Sequence, residues 1–267
     1  MKYSNRSKKS TYGQNFLFNK ELLTALLDSC HLQPNDNVLE IGAGAGTLTE
    51  ILAQRVGKLL ALEIDDSLMP YLRALEQKLP NLRCLHCDFM TWDFEEYFRD
   101  TPSVKVIANI PYYITTPIYH RLIFSSLPIE ELSCMVQLEV AKKIIATPEQ
   151  KNEYGTLALI CRHKYNAEIV RVVVKENFSP VPKVDSAFVR LTRKPEASPV
   201  DAADTAYYRL VKASFLHRRK TLLNSLKASG YEGGLVAEAL RCLEIQENAR
   251  PENLRYEDYV KLAESLG

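Results

Sequence analysis

The chain has almost no excess of charge of either sign. Its 34 Lys and Arg are matched by 33 Asp and Glu, which leaves +1 at pH 7. That balance excludes a uniformly basic, polyanion-coating surface, so any affinity for nucleic acid has to come from local clusters. No apolar run is long enough to span a bilayer, and no membrane association is expected. The polar, basic start Met1 to Lys9 has no apolar stretch behind it and does not read as a secretory signal. The six cysteines, Cys30, Cys84, Cys87, Cys134, Cys161 and Cys242, are scattered, which fits a reduced, cytoplasmic setting. Cys84-Leu85-His86-Cys87 has the spacing of half a zinc site, but no second close pair accompanies it and it lies in a strand-like run. These cysteines therefore read as small buried residues, His86 as a strand residue, and no metal is expected. There is no internal repeat and no low-complexity tract.

What is present is an alternation. Apolar runs of strand length, Val38 to Ile41, Lys58 to Ile64, Leu82 to Cys87, Val104 to Ala108 and Leu132 to Leu138, alternate with stretches of helical spacing. The latter are Glu21 to Cys30, Thr47 to Arg55, Leu68 to Lys78 and Thr116 to Phe124. This order specifies an α/β fold with a doubly wound parallel sheet. Two β-rich runs, Ala167 to Val174 and Val184 to Thr192, flank a Pro180-Val181-Pro182 turn. Lys194 to Pro199 has linker composition. Beyond it, Thr205 to Arg218, Thr221 to Ala228, Leu235 to Cys242 and Tyr256 to Leu266 have helical spacing. The expected organisation is a catalytic domain over residues 1–194 and a small helical domain over residues 200–267.

Four features end strands of the first domain. Gly42-Ala43-Gly44-Ala45-Gly46 is a glycine turn leading into a helix. Its third glycine comes one residue earlier than in a dinucleotide fingerprint, and no Lys-Ser/Thr follows as in a P-loop, so a pyrophosphate site is not indicated. Glu63, ending the second strand, has the place of a carboxylate that accepts from ribose hydroxyls. Asp88, ending the third, is placed to accept from an adenine amino group. Asn109-Ile110-Pro111-Tyr112-Tyr113 follows the fourth. The Asn109 carboxamide offers donor and acceptor, Pro111 holds Ile110 extended so that its carbonyl can accept from an amine, and Tyr112 offers a ring face. Alone, these five residues fit an ordinary strand-to-loop turn equally well. With the other three features, all at the carboxyl edge where ligands of open α/β sheets bind, a site is the better reading.

The ordered set resembles the S-adenosylmethionine-dependent rRNA adenine N6-dimethyltransferases, in particular the bacterial small-subunit (16S) KsgA/RsmA family. The likeness begins at Gly13-Gln14-Asn15-Phe16-Leu17 and runs through the Gly42 turn, Glu63, Asp88 and Asn109 to Tyr112. It includes Phe178-Ser179-Pro180-Val181-Pro182-Lys183-Val184-Asp185-Ser186 and ends with Arg218-Arg219-Lys220-Thr221-Leu222-Leu223-Asn224-Ser225-Leu226. It implies a Rossmann-like class I methyltransferase domain with a small C-terminal helical domain. It further implies dimethylation of N6 on two adjacent adenosines in a hairpin loop near the 3′ end of 16S rRNA, in the small ribosomal subunit, with a part in that subunit's biogenesis. S-adenosylmethionine would be bound by Asn15, Leu17, Gly42, Gly44, Glu63, Asp88 and Asn109. Asn109, Ile110, Tyr112 and Phe178 would serve the chemistry, with Phe178 closing the far side of the target base. A monomer working in the cytoplasm is expected.

Plainer readings stand beside these. Phe178 can be core packing at a turn, Lys183 a surface charge and Asn15 a loop cap, and Glu40 reads as a loop-organising carboxylate. The basic clusters (Lys2, Arg6, Lys8 and Lys9; Lys142-Lys143; Arg190, Arg193 and Lys194; His217 to Lys220) are solvated surface or RNA contacts. Two positions depart from the family pattern: Leu138, where Lys is usual, and Thr11-Tyr12, where Leu is common. Two other functions fit the same fold: a 23S rRNA adenine N6-methyltransferase of the macrolide-resistance type, and a non-catalytic ribosome-assembly factor.

Overall fold

Leu59, Leu60, Ala61 and Leu62 are all 3 % exposed or less. A strand apolar on both faces has to be covered on both faces, and the chain does this by winding helices around a parallel sheet. The computed structural model describes residues 15–195, 197, 202–217 and 219–267. Gly13, Gln14, Thr11, Tyr12, the cluster Lys2, Arg6, Lys8 and Lys9, and Arg218 lie outside the described residues.

In chain order the elements are β1 (Phe16–Leu17), α1 (Lys20–Asp28), β2 (Asn37–Ile41), α2 (Thr47–Ala53), β3 (Lys58–Glu63), α3 (Met69–Glu76), β4 (Leu82–His86), α4 (Phe94–Tyr97) and β5 (Val104–Asn109). They continue with α5 (Thr115–Ile123), β6 (Ile129–Gln137), α6 (Leu138–Ile145), α7 (Thr156–Lys164), β7 (Tyr165–Val173), β8 (Phe178–Ser179) and β9 (Ser186–Arg193). Four helices follow: α8 (Ala202–Phe215), α9 (Leu222–Ala228), α10 (Gly233–Cys242) and α11 (Tyr256–Leu266). Seven strands form one sheet in the order β4-β3-β2-β5-β6-β9-β7. β2 pairs in parallel with both β3 and β5, and parallel pairing continues to β4 and β6. The doubly wound α/β fold expected from the alternation is therefore observed. The two β-rich runs around the proline turn are β7 and β9, neighbours at one edge.

Three differences from the sequence reading have physical causes. Leu138 begins α6 rather than ending a strand. α7 buries Ala158, Leu159, Ile160, Cys161 and Lys164, so it is apolar around much of its circumference and carries no clear helical period. β1 and β8 are two residues each and pair only with one another, Phe16 opposite Ser179 and Leu17 opposite Phe178. Such short strands have no pattern of their own.

The chain divides into two compact units. The first takes in Met1–Tyr119, Ile129–Leu138 and Ile169–Arg190, the second His120–Pro128, Glu139–Glu168 and Leu191–Gly267. In the first, Leu17, Leu23, Leu26, Leu27, Leu52 and Leu72 pack with Ile107, Phe178 and Phe188. Lys105, buried within β5, is held by Asp36 at 2.8 Å and by the His31 carbonyl, which satisfies its charge away from the carboxyl edge. In the second unit, Asp204 of α8 accepts from His163 and from the buried Lys164, both at 2.6 Å. The His163 ring stacks on Tyr207 with centroids 4.1 Å apart. The buried Asp204 carboxylate, holding two donors of α7, pins α7 to α8.

Gly46 caps the start of α2 at φ +86°, and a Cβ there would lie 2.4 Å from Leu75 Cδ1 of α3. Leu75 can swing away, but the backbone strain cannot be relieved. Gly46→Ala is expected to lower stability by about 1–3 kcal/mol. Urea unfolding monitored by circular dichroism checks this, and a midpoint equal to wild type would show that the turn tolerates a side chain.

Candidate active site

The sheet changes direction between β2 and β5: the chain steps outward from β2 to β3 and β4 on one side, and to β5 and β6 on the other. Loops diverge at such a point and leave a cleft at the carboxyl edge. Here the cleft is lined by Asn15, Phe16, Gly42, Gly44, Glu63, Ile64, Asn109, Ile110, Pro111 and Tyr112.

The glycine turn is tied down from below. Gly42 and Ala43 N–H both donate to the Leu62 carbonyl at 2.9 Å. Gly44 N–H donates to Glu63 Oε2 at 2.7 Å, while Ile64 and Asp65 N–H donate to Oε1 at 2.9 and 2.8 Å. Glu63 is 2 % exposed. Burial pushes its carboxyl above the usual carboxylate range, and those three hydrogen bonds oppose the rise. Gly44 has φ +60°, and a Cβ there would come within 2.9 Å of the Phe16 ring. The ring of Phe16 thus lies directly against the turn, which only glycine permits.

On the other wall, Asn109 ends β5 and its Nδ2 donates to the Asn15 carbonyl at 2.9 Å. That bond fixes the carboxamide, so Oδ1 occupies the opposite side of the amide as an acceptor. Ile110 is buried, with its N–H donating to the Met135 carbonyl at 3.2 Å. Pro111 then leads into a short 3₁₀ turn, Tyr112–Ile114. The Tyr112 hydroxyl meets Ser186 Oγ at 2.6 Å, and burial pushes its ionisation upward.

Of the residues singled out from sequence, Asn15, Gly42, Gly44, Glu63, Asn109, Ile110 and Tyr112 come together around this cleft. Three do not line it. Leu17 is 6 % exposed and packs in the core, as does Phe178 at 3 %. Asp88 lies just past β4, where Oδ1 accepts from Met90 N–H at 2.8 Å. Phe16 and Ile64 are lining residues that were not singled out from sequence, and Phe16 is the one set by strand pairing. It neighbours Leu17 on a strand, and alternation sends two such side chains to opposite faces, a signal too short to choose between them without a partner strand. Among the described residues no group of three or more His, Cys, Asp or Glu could hold a metal ion.

A doubly wound parallel sheet with this turn, this carboxylate and this Asn-Ile-Pro-Tyr loop at its switch point defines a Rossmann-like class I methyltransferase. The chain belongs to the ribosomal RNA adenine dimethylase family, whose profile matches residues 5–267. It is 38 % identical over 266 residues to the ribosomal RNA small subunit methyltransferase A of Ligilactobacillus salivarius, covering 97 % of this chain and 90 % of that one. It is likewise 38 % identical over 270 residues to the protein of the same name from Alkaliphilus metalliredigens, covering 99 % and 93 %. Among solved structures, a dimethyladenosine transferase from Plasmodium falciparum superposes with a TM-score of 0.77 at 26 % identity, covering 92 % and 95 %. The 23S rRNA methyltransferase ErmE superposes at 0.70 and 30 % identity, covering 94 % and 99 %.

Beneath the turn, Glu40 is 1 % exposed and its Oε2 has no hydrogen-bond partner. Burial pushes its carboxyl up to about 8; the nearby Thr49 hydroxyl, though short of hydrogen-bond geometry, offsets part of that rise, and the charge of Glu63 adds to it. A carboxyl raised on folding holds its proton in the folded state at pH values where the unfolded chain has lost it. Its stabilisation is complete below the ordinary value near 4.5 and is lost as pH climbs to about 8. Stability is therefore expected to fall across this window, with a slope of up to about 1.4 kcal/mol per pH unit. Glu40→Gln should flatten the fall, leaving the smaller slope of the same sign due to Glu63. Urea midpoints at pH 5.5, 6.5 and 7.5 check it; a pH dependence identical to wild type would show that Glu40 ionises normally.

Proposed function

We propose that the chain is an S-adenosylmethionine-dependent methyltransferase that dimethylates N6 of two adjacent adenosines in the hairpin loop near the 3′ end of small-subunit rRNA. The observation that carries this reading is the meeting of the glycine turn, Glu63 and the Asn109–Tyr112 loop around one cleft. The cleft's chemistry fits the cofactor: a glycine turn that admits close backbone approach, and a buried carboxylate at the strand end where a ribose is held in related sheets. Asn15, Gly42, Gly44 and Glu63 are assigned to it, with Phe16 against the turn. Leu17 and Asp88 are assigned supporting roles behind it. When bound, S-adenosylmethionine supplies a methyl group on an already activated sulfonium.

The protein's task is then positional. Asn109 Oδ1 and the Ile110 carbonyl accept from the adenine amino group. Two acceptors at one nitrogen favour a pyramidal amine with its lone pair aimed along the line of transfer, and they stabilise the positive charge that develops there. The Asn15 bond to Nδ2 supports this role, because it keeps the acceptor end of Asn109 from exchanging with the donor end. Tyr112 stacks on the base, which has to leave its own stack to reach the cleft. Phe178, buried in the core, anchors β8 where it pairs with β1. The amine proton leaves during or after transfer, with no dedicated base.

Relatives named as small-subunit enzymes at 38 % identity support the small subunit over the large one. The intact Asn109–Tyr112 loop argues against a purely non-catalytic assembly factor. The remaining assignments, a helical RNA-docking domain over residues 200–267, a monomeric state and a cytoplasmic setting, belong to the same proposal. So does docking by the basic turn before α9, where Arg219 and Lys220 are exposed. Among the described residues, members of the other basic clusters are engaged within the protein. Arg190 donates to the Ser29 carbonyl, Arg193 to that of Ala197, Lys143 pairs with Glu139, and Lys194 lies over the Tyr256 ring.

Incubation with radiolabelled cofactor and undermodified small subunits, followed by mapping of the methylated bases, tests the function; label elsewhere, or none, rejects it. In that assay Asn109→Ala should lose most single-turnover rate with a modest change in cofactor affinity. Glu63→Ala should show the reverse emphasis, a loss of roughly 1.5–3 kcal/mol of cofactor binding by calorimetry. Equal effects of both variants on both quantities would contradict the division of roles. Replacing Arg219 and Lys220 with Gln should weaken subunit binding and flatten its log–log salt dependence by nearly one unit for each phosphate that the protein no longer neutralises. An unchanged slope with a lowered melting temperature would make them capping residues instead.

A further inference from the structure

The segment that follows the proline turn enters the cleft's wall through one atom. Ser186 is fully buried, and its Oγ lies 2.6 Å from the Tyr112 hydroxyl. Nothing in the chemistry above requires a hydroxyl at either position. The base-stacking role of Tyr112 needs only its ring face, and a phenylalanine offers the same face. Yet the two hydroxyls form a short bond between residues far apart in the chain, and each is satisfied by the other.

The framework around Ser186 is rigid. It opens β9, and the preceding residue, Asp185, is fixed twice: its carbonyl accepts from Leu138 N–H at 3.0 Å, and its Oδ1 accepts from Lys175 N–H, also at 3.0 Å. Tyr112, by contrast, is half-buried and opens a 3₁₀ turn of three residues. A ring at the start of such a turn has two soft torsions, χ1 and χ2, and packing on one side leaves both free to relax. A hydrogen bond at the far end of the ring removes that freedom, because the hydroxyl lies at the tip of the lever that both torsions move.

We infer that Ser186 is a positioning residue for the methyl transfer: its hydroxyl holds the Tyr112 ring at the angle that receives the target adenine, before RNA arrives. The inference rests on the proposed function, since it assigns the ring's purpose from that reading. A stacking surface held in advance costs less ordering when the flipped base lands. Ser186 touches neither base nor cofactor and acts only through Tyr112.

The test uses Ser186→Ala, Tyr112→Phe and the double variant in the full chain, with undermodified small subunits as substrate. Each single variant deletes the same bond from a different end. Each is expected to lower the single-turnover rate about tenfold, the scale of one hydrogen bond, with cofactor affinity unchanged. The double variant should be no slower than either single one, because the same bond cannot be broken twice. A serine that serves folding alone predicts otherwise: a lowered melting temperature, a normal rate well below it, and effects that add in the double variant. That outcome overturns the inference. In parallel, 3-fluorotyrosine placed at position 112 reports the ring by ¹⁹F NMR without any substrate. One sharp resonance that broadens or splits in Ser186→Ala supports the clamp, and an unaltered line refutes it. If wild-type protein fails to methylate small subunits, the proposed function falls by itself, and the fluorine spectrum still decides whether Ser186 holds the ring.

Discussion

The cofactor edge of this protein depends on the buried carboxylate of Glu63. Three backbone N–H groups converge on it, one from the glycine turn after β2 and two from the residues that follow β3. Parallel strands bring their carboxyl ends to one edge but do not fix the loops beyond them. Here a single side chain at the end of one strand organises the turn of its neighbour. The turn's close approach to Phe16 and the shape of the cleft follow from it. The same burial that makes those hydrogen bonds strong keeps a second carboxyl, Glu40, protonated below. Two ionised carboxylates in one dry layer would repel each other, and the layer resolves this by letting one hold its proton.

The opposite wall is built by a different kind of constraint. Asn109 and Tyr112 both belong to the loop after β5, yet each is held by a residue distant in sequence, Asn15 for the carboxamide and Ser186 for the phenol. The two outlying segments hold the side chains of this loop. This accounts for a site whose family signature is spread along the chain.

Much of this was legible in the sequence. Buried parallel strands write themselves as apolar runs, and the runs ending in Glu63 and Asn109 fall within two residues of the observed strands. The gathering of Gly42, Gly44, Glu63 and Asn109 follows from the rule that every parallel strand delivers its last residue to the same edge. What could not be read are the elements whose identity is a matter of partners. β1 and β8 are strands only because they meet, and this meeting turns Phe16 toward the cleft and leaves Leu17 in the core. α7 hides its period because it is buried around most of its surface. The family likeness names segments; that Leu17 and Phe178 pack in the core is read only from the structure, since a motif records which residues recur and carries no direction.

The pairing of β1 with β8 also sets a temporal order. β1 precedes every strand of the main sheet, and its partner appears only after six of those strands. Pairings between such distant segments form late, because a long loop must close before they are rewarded. During synthesis the glycine turn, Glu63 and the Asn109 loop can therefore assemble with the N-terminal segment still unplaced. Phe16 and the Asn15 carbonyl are added last, once Phe178 and Ser179 have emerged. The cleft's N-terminal wall is thus the part of the site that depends on the most distant pairing in the chain.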